Sequence, residues 1–202
     1  QELDNGGAEV ILSRSHPEFV KQLFLQEVPE LEEGVVSIVK IAREPGYRTK
    51  LAVSSSDFKT DPVGAFVGMR GARVKNIIRE LNDEKIDIVN YSSTPTELLQ
   101  NLLYPIEIQK IAILEDDKVI AIVVNDADYA TVIGKRGINA RLISQILDYE
   151  LEVQRMSEYN KLLEIQRLQL AEFDSPQLDQ PLQEIEGISK LVIQNLEHAG
   201  YD

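Results

Sequence analysis

Val67-Gly68-Met69-Arg70-Gly71 and Ile133-Gly134-Lys135-Arg136-Gly137 are one motif met twice in a single chain. An internal repeat of this kind governs the architecture, because each copy is one supersecondary unit. Downstream of the first copy, Val74, Ile77, Ile78 and Leu81 fall at i, i+3, i+4 and i+7, one face of an α-helix. Ala140, Ile143, Ser144 and Leu147 answer them after the second copy, with Leu142 and Ile146 widening the stripe, and Arg141 stands where Lys75 stood. Each helix gives way to a short extended segment, Ile86 to Tyr91 and Tyr149 to Val153, in which apolar and polar residues largely alternate.

Upstream of each motif the order of elements also agrees. Ser15 with Glu18, and Thr94 with Glu97, have capping-box spacing, and Pro95 suits a first helical position. The helices they open are apolar at Phe19, Val20, Leu23 and Phe24, and at Leu98, Leu99, Leu102 and Leu103. A hairpin follows in each copy. Strands near Val35 to Arg43 and Arg48 to Ser55 flank the turn Glu44-Pro45-Gly46-Tyr47; strands from Gln109 to Glu115 and Lys118 to Val124 flank Asp116-Asp117. A short helix, opened by Asp61-Pro62 in the first copy, then leads into the glycines. The predicted order is α-β-β-α-α-β, twice, an α+β protein.

Gly-x-x-Gly between two helices has a physical use. Without side chains the glycines let the backbone turn sharply and let a ligand's backbone approach. The turn aims the N-terminus of the next helix outward, where its N–H groups and dipole favour an anion. Arg70 in one copy and Lys135-Arg136 in the other add full charges between the glycines, and Arg73, Lys75, Arg79, Asn139 and Arg141 follow in the next helix. An apolar helix face beside the loop completes a groove for unstacked bases. This is the logic of a KH module, whose GxxG loop clamps about four nucleotides of single-stranded RNA. A single copy is weak evidence, since helix corners use glycine for structural reasons alone. Two copies with matching flanks carry the reading.

The formal net charge of −13, taken alone, opposes a polyanionic partner. Its distribution removes the objection. From Asp148 to Asp202 there are twelve acidic and four basic residues, whereas Phe66 to Arg79 holds Arg70, Arg73, Lys75 and Arg79 without an acid. Ile133 to Leu147 likewise holds Lys135, Arg136 and Arg141 without one. Local patches decide contact with a polyanion, while net charge tunes solubility and encounter. With no cysteine there is no disulfide framework or thiolate metal site, which fits a reducing, cytoplasmic setting. No stretch approaches a membrane span, and no signal-peptide pattern opens the chain. Histidine occurs only at His16 and His198, far apart and without a recognisable Ser or Cys constellation. No Walker loop, dinucleotide fingerprint or metal-ligand spacing occurs, so neither an enzyme, a cofactor nor a metal is expected.

The stretch Asp61-Pro62-Val63-Gly64-Ala65-Phe66-Val67-Gly68-Met69-Arg70-Gly71-Ala72-Arg73-Val74, followed by Glu84-Lys85-Ile86-Asp87-Ile88-Val89, closely resembles the first KH domain of the NusA family of bacterial transcription factors. Pro17-Glu18-Phe19-Val20 through Glu27-Val28-Pro29-Glu30 and Ala42-Arg43-Glu44-Pro45-Gly46-Tyr47-Arg48-Thr49-Lys50 extend the likeness, which covers roughly residues 8 to 153. The resemblance implies two tandem prokaryotic-type (type II) KH domains, at 15–92 and 93–154. It also implies that residues 1–14, with the strand Ala8-Glu9-Val10-Ile11-Leu12, end an S1 (OB-type) domain. Residues 155–202 then form a mainly helical acidic tail, with a Glu186-Gly187 corner resembling the start of a helix-hairpin-helix unit. Both ends suggest a piece of a longer protein.

By the same resemblance, RNA-contact roles fall on Gly68, Met69, Arg70, Gly71, Arg73, Gly134, Gly137, Asn139 and Arg141. Lys75, Arg79, Lys135 and Arg136 supply further charge. Phe66 stands where a cysteine is common, and Lys135-Arg136 then Ile138 where the family often has Arg-Asn then Gln. Charge is kept there, while base preference is left open. The implied function is binding of nascent single-stranded RNA in support of polymerase pausing, transcription termination and antitermination, with RNA polymerase, met mainly through family regions outside this chain, and other antitermination factors as partners and no membrane. Two other readings stand beside it: a KH pair serving ribosome assembly or RNA decay, and a protein-interaction scaffold with inactive loops.

Overall fold

A computed structural model describes the backbone of residues 12–172. The expected S1-domain strand at Ala8 to Leu12, apart from Leu12 itself, and the Glu186-Gly187 corner lie outside the described residues. The chain divides into two compact units, residues 1–92 and 93–202.

The first unit runs α1 (Pro17–Glu27), α2 (Pro29–Glu32), β1 (Val36–Glu44), β2 (Arg48–Ser55), α3 (Pro62–Val67), α4 (Ala72–Glu80) and β3 (Lys85–Asn90). Its sheet has the order β1-β2-β3, antiparallel between β1 and β2 and parallel between β2 and β3. The second unit runs α5 (Pro95–Leu103), β4 (Ile108–Leu114), β5 (Val119–Val124), α6 (Asp126–Ile133), α7 (Ile138–Leu147), β6 (Glu150–Arg155) and α8 (Met156–Glu172). Its sheet repeats the pattern as β4-β5-β6. Even the irregularity recurs: the register slips between Ile38 and Lys40 in β1, and between Ile108 and Lys110 in β4. The α-β-β-α-α-β order expected from sequence is present in both units.

Local chemistry accounts for the boundaries. Pro17, Pro29, Pro62 and Pro95 each open a helix, where a missing N–H costs nothing. The N-cap of α1 is His16, not Ser15: its Nδ1 accepts from the Glu18 N–H at 3.1 Å. Proline favours the first helical position, which makes the residue before Pro17 the cap. Thr94 is the N-cap of α5 as its spacing predicts, without a side-chain cap bond. The four-residue helix α2 has no counterpart in the sequence reading, being too short for a periodic signal.

In the first unit Val20, Phe24 and Val28 pack on Val36, Leu51 and Val53 of the sheet and on Phe66, Ile77 and Leu81. The Phe24 and Phe66 rings lie 5.2 Å apart, tilted by 53°. Position 66 is thus a packing position, and an aromatic ring fills it.

In the second unit all six residues of β5 are buried. Ala121 and Val123, with Ala112 of β4, pack against Tyr159, and Met156 and Leu163 of α8 close over them. The Ser157 N–H donates to Asp126 at 3.0 Å, and Arg155 lies over the Tyr129 ring at 4.4 Å. The opening turns of α8 are therefore part of the second unit's packing.

A buried ion pair closes the end of the first sheet. Glu84, with no exposed surface, accepts from Arg43 Nε and Nη2, both at 2.9 Å, from the Gly46 N–H at 2.8 Å, and from the Thr49 hydroxyl. Arg43 Nη1 donates onward to the carbonyls of Arg14 (2.8 Å) and His16 (3.0 Å). Burial pushes the Glu84 carboxyl up, but the donors together outweigh it and hold the group below its ordinary range.

Candidate nucleic-acid interface

The two glycine motifs adopt the same backbone. Gly68 has φ 73° and ψ 171°, and Gly134 has 71° and 176°. Gly71 and Gly137 are left-handed, at φ 76°, ψ 20° and φ 72°, ψ 8°. Between the glycines, Met69–Gly71 and Lys135–Gly137 each form one 3₁₀ turn. Within it Arg70 (φ 53°, ψ 25°) and Arg136 (φ 53°, ψ 31°) are left-handed too. This region is unfavourable for a residue with a Cβ. The same strain at the same place in both units marks a shared constraint on the loop.

Neither α4 nor α7 carries a side-chain cap at its glycine N-cap. The Ala72 and Ile138 N–H groups donate to the Met69 and Lys135 carbonyls, and each helix sets the positive end of its dipole beside the loop. Met69 is 86% exposed. Arg70, Lys75, Arg79, Lys135, Arg136 and Arg141 are also exposed. Lys75 Nζ donates to the Arg70 carbonyl at 3.0 Å, fixing its ammonium against the loop.

Arg73 and Asn139 are placed differently from these. Arg73 Nη1 donates to the Ala65 carbonyl at 2.6 Å and pairs with both carboxylate oxygens of Glu30, at 3.1 and 3.0 Å. Asn139 Nδ2 donates to the carbonyls of Thr131 (3.3 Å) and Val132 (2.9 Å) and is buried. Both side chains reach back beneath the loop to carbonyls near the C-terminus of the preceding helix, α3 or α6. Each also lies against the first glycine of its own motif. A Cβ at Gly68 would stand 2.7 Å from Arg73 Cγ. The geometry makes them braces of the loop. Glu30, which the sequence reading did not single out, is part of the first brace. Its own backbone N–H and Arg73 hold its carboxyl below the ordinary range against a smaller effect of burial.

Among the described residues, no group of three or more His, Cys, Asp or Glu is placed to hold a metal ion. No helix there is long and apolar enough to cross a membrane.

Comparison with known proteins completes the picture. Residues 14–91 match the model of the NusA-like first KH domain, and residues 95–161 that of the NusA-like second KH domain. The chain belongs to the NusA family. The NusA-type KH pair is a non-catalytic RNA-binding module.

Curated relatives agree. The transcription termination/antitermination protein NusA of Borreliella burgdorferi is 40% identical over 97% of this chain and 44% of its own length. NusA of Halalkalibacterium halodurans is 40% identical over 77% of this chain and 41% of that protein. NusA of Bacillus subtilis is 39% identical over 87% and 47%. The chain thus spans less than half the length of these NusA proteins. The crystal structure of APE1850 is 23% identical, covering 64% of this chain and 96% of that one, with a TM-score of 0.48.

Proposed function

We propose that the chain clamps single-stranded nascent RNA with its two GxxG loops, within a NusA-like factor that modulates RNA polymerase pausing, transcription termination and antitermination. The observation that carries this reading is the repeated loop: two uncapped helix N-termini with the same strained arginine and exposed cations. The loop's N–H groups and dipole favour phosphate oxygens, and Arg70, Lys135 and Arg136 add the charge. Met69 offers an apolar contact where the second loop has Lys135, so the two loops grip differently. Gly68, Gly71, Gly134 and Gly137 admit the RNA backbone. Lys75, Arg79 and Arg141 extend the basic surface, and Arg73 and Asn139 keep the loops in shape.

In this reading residues 1–14 end an S1 domain, 15–92 and 93–154 are the RNA-binding units, and 155–202 is a helical acidic tail whose first turns pack on the second unit. RNA polymerase and other antitermination factors are the partners, in the cytoplasm. The termination and antitermination role in the names of the NusA relatives favours transcription over ribosome assembly or RNA decay.

Fluorescence anisotropy with a labelled A-rich single-stranded RNA across a salt series tests the proposal. With ~6 cations against phosphates, log affinity should fall with log salt at a slope near −4, about −0.7 per phosphate. Met69→Asp/Arg70→Asp and Lys135→Asp/Arg136→Asp should each weaken binding and flatten the slope while leaving the fold intact. A folded wild-type chain that ignores RNA refutes the proposal.

A further inference from the structure

Phe58, in the segment between β2 and α3, is 93% exposed. Left almost wholly in water, the ring adds nothing to the core and is available to a ligand. Its display is built into the loop. The Asp57 N–H donates to Ser55 Oγ at 3.0 Å, and Ser55 Oγ donates to the Asp57 carbonyl at 2.8 Å. Asp57 Oδ1 accepts from the Lys59 N–H and Oδ2 from the Thr60 hydroxyl, each at 3.0 Å. The Ser56 N–H is anchored on the Val35 carbonyl at 2.9 Å. The backbone on both sides of Phe58 is thereby pinned while the ring projects outward. Lys59 Nζ lies 5.5 Å from the ring centroid.

We propose that Phe58 and Lys59 form a stacking platform for one unpaired base of the RNA strand held by the first GxxG loop, Phe58 meeting the base face and Lys59 the adjoining phosphate. The inference rests on the RNA-binding reading above and extends it beyond the clamp. Position supports it: the loop runs directly into α3, whose other end is Gly68. The six residues of α3 span about 9 Å at ~1.5 Å each, within the reach of a short stretch of strand. Surroundings support it as well. Ser54, Ser55, Ser56, Asp57, Lys59 and Thr60 give Phe58 no apolar rim, and a protein hot spot needs a ring of neighbours that excludes water. A base needs only one aromatic face, and a nearby cation serves its phosphate. Of the nearby acids in the chain, Asp57 is engaged by its own loop, and the Asp61 carboxylate lies against Gly64.

The chain contains no tryptophan, so Phe58→Trp places a single indole reporter at the platform. Oligoadenylates of four and ten nucleotides, titrated against the whole chain, separate clamp from platform. The expected result is quenching of the indole by the ten-mer. Phe58→Ala should bind the ten-mer about tenfold more weakly, with no change for the four-mer. Its salt slope should equal that of the wild type, since stacking releases no counterions, and its melting temperature should be unchanged. An abasic ten-mer should erase the difference between Phe58→Ala and wild type. If the wild type binds the ten-mer and Phe58→Ala binds it equally well, the platform is refuted and the clamp stands. Equal weakening of both oligomers would place Phe58 inside the clamp and overturn the platform. If the folded wild type binds neither oligomer, the clamp itself has failed and the platform falls with it.

Discussion

Gly134 lies so close to Asn139 that a Cβ added to the glycine would stand 2.6 Å from the Asn139 Cβ and 3.1 Å from its backbone nitrogen. Neither atom can swing away, and the glycine's φ of 71° at ψ 176° is itself closed to other residues. Gly134→Ala should therefore destabilise the fold by about 3 kcal/mol, combining strain and overpacking. Gly137→Ala meets no atom within 4 Å and has only its left-handed φ to oppose it, so about 1 kcal/mol is expected. Denaturant unfolding of the two variants checks the contrast.

Arg70 and Arg136 are exposed and left-handed, so their conformation opposes stability while their charge serves the ligand. Arg70→Gly and Arg136→Gly should each raise the unfolding free energy, by up to about 1 kcal/mol, as the Cβ strain is released. RNA affinity should fall in the same variants. A loss of stability instead would show that the arginine side chains hold the loops together.

Arg73 presents the opposite case. Arg73→Ala removes the bonds to Ala65 and Glu30, and about 1.5–3 kcal/mol of stability should go with the charge-assisted bonds. Its effect on RNA affinity should exceed its effect on the salt slope, as for a residue acting through loop shape. Glu30→Ala, which leaves every exposed cation in place, should weaken binding in the same direction.

Glu84 gives the fold a pH dependence. Its native value is depressed below the ordinary 4.5, so its stabilisation is full above that value and is lost as pH falls through the lower native one. Glu84→Gln leaves Arg43 buried without its counter-charge and should cost about 3 kcal/mol at neutral pH. The gap between wild type and variant should narrow as the pH falls below 4.5, which urea titrations at several pH values would read directly.

Tyr159 is the ring that α8 lays on the second sheet. Tyr159→Ala should cost about 3 kcal/mol through the cavity it leaves, and hydrogen exchange should quicken in α8 before the rest of the unit.

The repeat made most of this architecture legible in sequence. The apolar stripes gave the long helices, and alternation or the flanking turns gave each strand to within a residue or two, because both are local signals. What depended on distant partners stayed hidden. Arg73 reads in sequence as one more cation behind the loop, and only the fold sets it against Glu30, far away along the chain. Glu84 reads as part of an acidic turn, yet it is buried on Arg43. His16 took the capping role expected of Ser15, since Pro17 fixed where the helix begins. Phe58 carries no periodic signal at all, and its exposure is a property of the loop alone.

The left-handed backbone at positions 70 and 136 also bounds how these loops can drift over generations. A β-branched residue is barred there whatever its chemistry, while glycine and asparagine enter freely. The repertoire of the two sites is thus screened first by a torsion angle and only afterwards by the ligand. Asparagine is the side chain this screen admits most readily. An arginine at either position sets its charge against the conformational cost of its torsion angles.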